Sequence, residues 1–84
     1  LDREELKKQG VIECSKKEEG VKSRLIKEEQ IGEYEADVWG IKNCGIRQVS
    51  LEEKSFADSR TIAVAIEDKE LRAKESTIIY KISK

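Results

Sequence analysis

Any chemistry in this chain has to come from carboxylates, two cysteines and one tryptophan, because the sequence contains no histidine. That absence removes the usual general base near neutral pH and the commonest metal ligand. Glu33, Glu35 and Asp37 alternate along one short stretch. On a strand they share a face at about 7 Å intervals, so two of them reach one cation only with help from a neighbouring strand. Calcium sites normally converge several oxygens from a loop, and a solvated edge facing Arg24 explains the three carboxylates better. Acid–base catalysis by paired carboxylates needs a pocket that drives two pKa values apart. No stretch of the sequence builds one, so the expectation is a non-enzymatic protein with no catalytic residue, no metal ligand and no cofactor.

Cys14 and Cys44 are too few and too far apart for a disulfide scaffold or a zinc site. Two buried thiols are the favoured reading. The alternative is a single Cys14–Cys44 bridge, which implies an oxidising compartment.

The remaining candidate is an apolar strip around the only tryptophan. If the chain folds as the hairpins described next, Trp39, Ile41 and Ile46 share one sheet face, flanked by Lys22, Arg24, Asp37 and Gln48. Trp and Arg are the usual anchors of protein interfaces, and Lys22 can also lie across the Trp39 ring. These seven residues form the expected partner-binding surface. The competing reading makes Trp39 ordinary core, covered by an N-terminal helix or by barrel closure.

The elements that must position this strip follow from period and punctuation. Asp2 to Gly10 reads as a short helix with an acidic start and a glycine stop. Val11 to Cys14 is expected as a first strand, followed by the charged turn Ser15 to Gly20. Val21 to Glu28 and Glu33 to Trp39 form a hairpin around Gly32. The apolar parity sets Leu25 opposite Ala36, Ser23 opposite Val38 and Lys27 opposite Tyr34, with Lys22 against Trp39, Arg24 against Asp37 and Ile26 against Glu35 on the other face. A second hairpin through Lys42-Asn43-Cys44-Gly45 pairs Val38 with Val49, Ala36 with Leu51, Ile41 with Ile46 and Trp39 with Gln48.

Ser50-Leu51-Glu52-Glu53 has the spacing of a capping box and predicts a helix from Leu51 to about Ser59. Arg60 to Ile66 is a buried-looking strand. Glu67 to Glu75 reads as one or two helical turns, with Asp68 and Arg72, and Glu70 and Lys74, at i,i+4 spacing. Ser76 to Ser83 is the last strand. The sum is a single α+β domain over residues 1–84: a small, mainly antiparallel sheet or partly closed barrel of five or six strands. It carries a short N-terminal helix and one helix between strands, an element order that is also OB-like.

Composition narrows the function classes. Charged residues make up 42% of the 84, yet 17 basic and 18 acidic side chains leave a net charge of −1. The long-range field is weak, which argues against a protein that grips a phosphate backbone or an anionic membrane by charge alone. No apolar run approaches the length that spans a bilayer. Aromatics are too sparse for interleaved stacking platforms: parity sends Tyr34 inward, Phe56 faces the sheet and Tyr80 shares an apolar face with Ile78 and Ile82. The chain starts at Leu1 and contains no Met, which reads as a fragment or trimmed chain. The expectation is therefore a soluble, cytoplasmic protein–protein interaction module, a subunit or regulator. Its partner is another protein, or a second copy paired through the edge strands Val11 to Cys14 or Ser76 to Ser83. The alternative is an OB-like domain for single-stranded nucleic acid, and no membrane role is expected.

Overall fold

The computed structural model describes residues 11–15 and 20–84. Six strands follow in order: β1 Val21–Ile31, β2 Tyr34–Asn43, β3 Val49–Ser50, β4 Thr61–Ile66, β5 Glu70–Leu71 and β6 Ser76–Ser83. They make one four-stranded antiparallel sheet of order β1-β2-β6-β4 and one two-stranded ladder of β3 with β5.

The architecture is nearly all β and corrects the α+β expectation. In place of the helix from Leu51 to Ser59 there is a single 3₁₀ turn, Glu53–Phe56, whose N-cap Glu52 has no side-chain cap bond. Ser50 does not cap; its hydroxyl donates to the Glu70 carboxylate at 2.8 Å. The reason is that a capping box starts a helix only when an apolar face follows it. Here Leu51 and Phe56 are the sole large apolar residues, and they lie at the wrong spacing for a helical stripe. Leu51 instead drops into the core, with its N–H on the Lys69 carbonyl at 2.6 Å.

The helical turns expected over Glu67 to Glu75 are likewise replaced, by β5 and a turn in which Lys74 takes the left-handed φ of +67°. That turn is held from both sides. The Lys74 N–H donates to the Asn43 carbonyl, and Asn43 Nδ2 donates to the carbonyls of Leu71 and Arg72, groups that a helix would have used itself.

Both hairpin registers differ from the parity reading. β1 and β2 meet at a tight turn where Gly32 has φ +61°, the backbone a two-residue hairpin loop asks of glycine. The strands therefore run longer: Ile31 faces Tyr34, Glu28 faces Asp37 and, past a bulge between Leu25 and Lys27, Leu25 faces Trp39. A bulge inserts one residue and exchanges the faces, so parity fails across it. The second hairpin does not form. β2 pairs with β6, setting Val38 against Tyr80, Trp39 against Ile79 and Ile41 against Thr77. Ser76–Ser83 is thus an interior strand, not an edge, and the sheet closes into no barrel. Val11–Ser15 carries no strand, while the expected helix over Asp2 to Gly10 and most of the following charged turn lie outside the described residues.

Interior position pairs both edges of β6, and core residues cover both its faces. Ile79 joins Ile41, Leu51 and Leu71 in one cluster, with Trp39, Val49, Phe56, Val64 and Ile66 packed around it. On the reverse, Ile78 meets Val38, with Ile26 and Tyr80 alongside. Cys14 and Cys44 are disulfide-bonded, their Cα atoms 5.6 Å apart, which corrects the reading of two thiols. The bridge ties Val11–Ser15 to the end of β2, where Lys22, Arg24 and Lys42 donate to the carbonyls of Glu13, Val11 and Ile12. Among the described residues, no helix is long and apolar enough to cross a membrane.

Candidate interaction surface

The seven residues expected on one strip are distributed over the molecule. Trp39 and Ile41 do share a face, but Ile41 is buried and belongs to the core, while Trp39 is half-buried against it. What remains open beside the indole is a shallow crevice lined by Ser23, Ile41, Phe56 and Lys81. Lys22 and Arg24 sit opposite Lys42 and Gly40 in the ladder, on the reverse face from Trp39, and hold the disulfide-bonded segment. Ile46 lies in a loop and is 83% exposed. Gln48 donates from Nε2 to the Glu70 carboxylate at 3.0 Å. That bond and the one from Ser50 hold the Glu70 carboxyl below its ordinary pKa.

Asp37 lies in an acidic group of which sequence reading named two of the three members. Its neighbours are Glu35 and, across the ladder, Glu28; their carboxylate oxygens lie within 4.8 Å of one another. Glu33, the expected third member, sits in the turn and pairs with Lys84 at 3.6 Å. Burial, then the charge of Glu35, pushes the Asp37 carboxyl above its ordinary value, against a smaller opposing pull from Lys81. One Asp37 oxygen, Oδ1, is buried without a hydrogen-bond partner among the described residues. Electrostatically this is a site of strain, relieved when Asp37 holds a proton.

The surface that sequence reading missed is the outer edge of β4. β4 is an end strand of the sheet, paired on one side only with β6. Its six residues, TIAVAI, carry no charge. The other end strand, β1, is laced with Lys and Glu and bent by its bulge, the usual protection of an exposed edge. β4 has no such charges, and Ile62 on it is 54% exposed.

The ladder fixes which groups point outward. The Glu67 N–H donates to the Ile78 carbonyl at 3.1 Å, making Glu67 a hydrogen-bonded position. Alternation then turns Ala65 and Ala63 toward β6, and turns the N–H and C=O of Val64 and Ile66 away from it. An irregularity between Thr61 and Ala63 leaves Ile62 without a ladder partner. No described residue pairs with these outward groups. The signal in the sequence was the uncharged run itself, read there as a buried strand.

No protein-family model, curated protein or solved structure matches this chain.

Proposed function

We propose that this domain is a non-enzymatic protein–protein interaction module that takes a strand of its partner onto β4. The observation that carries this reading is the uncharged outer edge of Thr61–Ile66, with the backbone groups of Val64 and Ile66 directed away from β6. An added strand gains main-chain hydrogen bonds from that edge, and takes its specificity from side chains that alternate between the two faces. On one face they would lie beside Val64, Ile66 and Phe56; on the other, beside the small Ala63 and Ala65, which let a bulky partner side chain settle close to the backbone. The near-zero net charge fits such a contact better than it fits phosphate recognition.

The Cys14–Cys44 bridge supports an oxidising compartment as the place of action, in place of the cytoplasm expected from sequence. Thiol alkylation of the denatured protein, taken directly from its source, tests this: two alkylated cysteines would refute it.

The test of the module is recovery of bound macromolecules by the domain and by Ile62→Lys, at low and high salt. Protein recovered by the wild type in high salt and lost with Ile62→Lys supports the edge. Recovery of single-stranded nucleic acid alone, vanishing as salt rises, overturns the reading.

A further inference from the structure

We propose that the Cys14–Cys44 bridge is a redox clasp. A dithiol opens it in the folded protein, and residues 11–15 then leave the sheet while the sheet itself stays assembled. Nothing in this device depends on β4.

The two halves of the bridge are held unequally. Cys44, 1% exposed, follows the last residue of β2. Its N–H donates to the Gly20 carbonyl at 2.8 Å, and its own carbonyl accepts Lys74 Nζ at 2.6 Å. Asn43 beside it is fixed by side-chain bonds to Gly45, Arg47, Leu71 and Arg72. Cys14 has no such scaffold. Residues 11–15 carry no strand, and among the described residues no backbone–backbone hydrogen bond joins residues 11–14 to the sheet. Besides the bridge, what holds them there is the buried Ile12 side chain and three donors: Lys22 to the Glu13 carbonyl at 3.5 Å, Arg24 to that of Val11 at 3.2 Å and Lys42 to that of Ile12 at 3.1 Å. The first two of these bonds are exposed, where water competes for both partners. With the bridge open, these contacts alone must offset the conformational entropy of ordering the segment.

A reductant can reach the bridge. Both cysteines line an open cavity of about 680 Å³, and Cys14 is half-buried where Cys44 is enclosed. One thiolate of the entering dithiol attacks Cys14 Sγ, forming a mixed disulfide, and the electron pair of the broken S–S bond goes to Cys44 Sγ. Lys42 and Lys74 line the same cavity. Positive charge lowers the pKa of a nearby thiol and so makes it a better leaving group. The second thiolate of the dithiol then attacks the dithiol's own sulfur in the mixed disulfide and releases Cys14. The dithiol ends as a disulfide, and its two protons pass to Cys14 and Cys44.

Opening carries Glu13 and the carbonyls of Val11 and Ile12 away from one face of the β1–β2 hairpin, the face that bears Arg24 and Lys42. The clasped form keeps these cations on backbone carbonyls; the released form presents them to anions.

Dithiothreitol added to the disulfide-intact chain without denaturant tests this, with NMR order parameters and the rate of Lys42 acetylation measured before and after. The bridge should open at a rate proportional to dithiothreitol. Order parameters of residues 12–14 should fall from about 0.85 to below about 0.6 while those of β2 and β6 stay near 0.85, and Lys42 should acetylate faster. Oxidised glutathione should reverse both changes. Cys14→Ser combined with Cys44→Ser should show the released segment with no reductant present. A bridge that opens only in urea strong enough to unfold the domain overturns the proposal. So does a reduced protein in which residues 12–14 keep their order, or one in which β2 and β6 lose theirs along with the segment.

Discussion

Asn43 is the residue on which the loop end of the molecule turns, and replacing it should cost a large share of the stability. Its side chain is fully buried. Nδ2 donates to the carbonyls of Arg47 at 2.7 Å, Leu71 at 3.1 Å and Arg72 at 3.2 Å, while Oδ1 accepts the Gly45 N–H at 3.0 Å. One amide so joins the end of β2, the loop after it and the strand β5. Asn43→Ala deletes the bonds made by two donor hydrogens and one acceptor, each worth about 1 kcal/mol net, and strands buried partners at roughly 1–3 kcal/mol apiece where water does not enter. The expected loss is about 3–5 kcal/mol, against a total near 4–13 kcal/mol for a chain of this size. Urea unfolding followed by Trp39 fluorescence should show a midpoint lower by about 2–5 M, for a slope near 1–1.5 kcal/mol/M. Asn43→Asp sharpens the test, because it keeps the shape and the bond from Gly45 but aims a carboxylate at three carbonyl oxygens. Such a group has its pKa raised in the fold, so this variant should lose stability as pH rises through the ordinary carboxylate range and regain it on acidification. A loss below about 1 kcal/mol for Asn43→Ala, with the slope unchanged, would refute the assignment of Asn43 as the organising group.

Reduction of the Cys14–Cys44 bridge, which spans 30 residues, should cost about 3.7 kcal/mol on the chain-entropy estimate; urea melts with and without reductant measure it, and a change under about 1 kcal/mol would count against that account. Asp37→Asn should stabilise the protein at neutral pH. Its carboxyl is raised in the fold, by burial and then by Glu35, so ionising it disfavours the native state, and the advantage of the Asn variant should vanish below the ordinary carboxylate range. Melting temperatures of both proteins across pH 3 to 7 check the sign. Asp58 works in the opposite sense: the Arg60 N–H and Lys81 hold its carboxyl low, so the stability it contributes at neutral pH should be lost as pH falls through its depressed value, a trend Asp58→Asn should flatten. Trp39→Ala should destabilise by about 2–3 kcal/mol, less than the roughly 3–5 kcal/mol of a fully buried aromatic. If recovery of partner protein survives in the folded variant, the indole is a packing residue and not a contact.

The strands with continuous β-branched character were legible in the sequence: Ser76 to Ser83 appears with the bounds expected, and Arg60 to Ile66 differs by one residue. What sequence could not supply was the choice of partner. Period 2 says which residues of a strand share a face, but nothing in Val38 or Trp39 says that the neighbour is Tyr80 and Ile79 and not Val49 and Gln48. The bulge after Leu25 defeated the register in a second way, carrying Lys22 and Arg24 to the face away from Trp39. The capping box misled because its local chemistry is shared with a Ser that ends a strand, and only the missing apolar stripe behind it distinguishes the two. The bridge between Cys14 and Cys44 depends on the irregular segment Val11–Ser15 meeting the end of β2 in space, which a separation along the chain does not encode. Of the candidate site, the position of Trp39 on a sheet face beside Ile41 was readable; the exposed edge was not, because an uncharged strand looks the same whether covered on one side or two.

The place of β6 between β2 and β4 has a consequence for how the chain reaches this state. β1 and β2 can close locally around Gly32, but β4 has no sheet to join until residues some ten positions further on have entered the gap. Throughout that interval Thr61–Ile66 offers two bare edges instead of one, in a segment with every property that favours intermolecular strand stacking. Assembly should therefore be slow for so small a domain, limited by distant pairing, and yield on refolding should fall steeply with concentration. A substitution that weakens β6 without touching β4 would then reveal itself first as aggregation, long before any loss of stability in the finished fold.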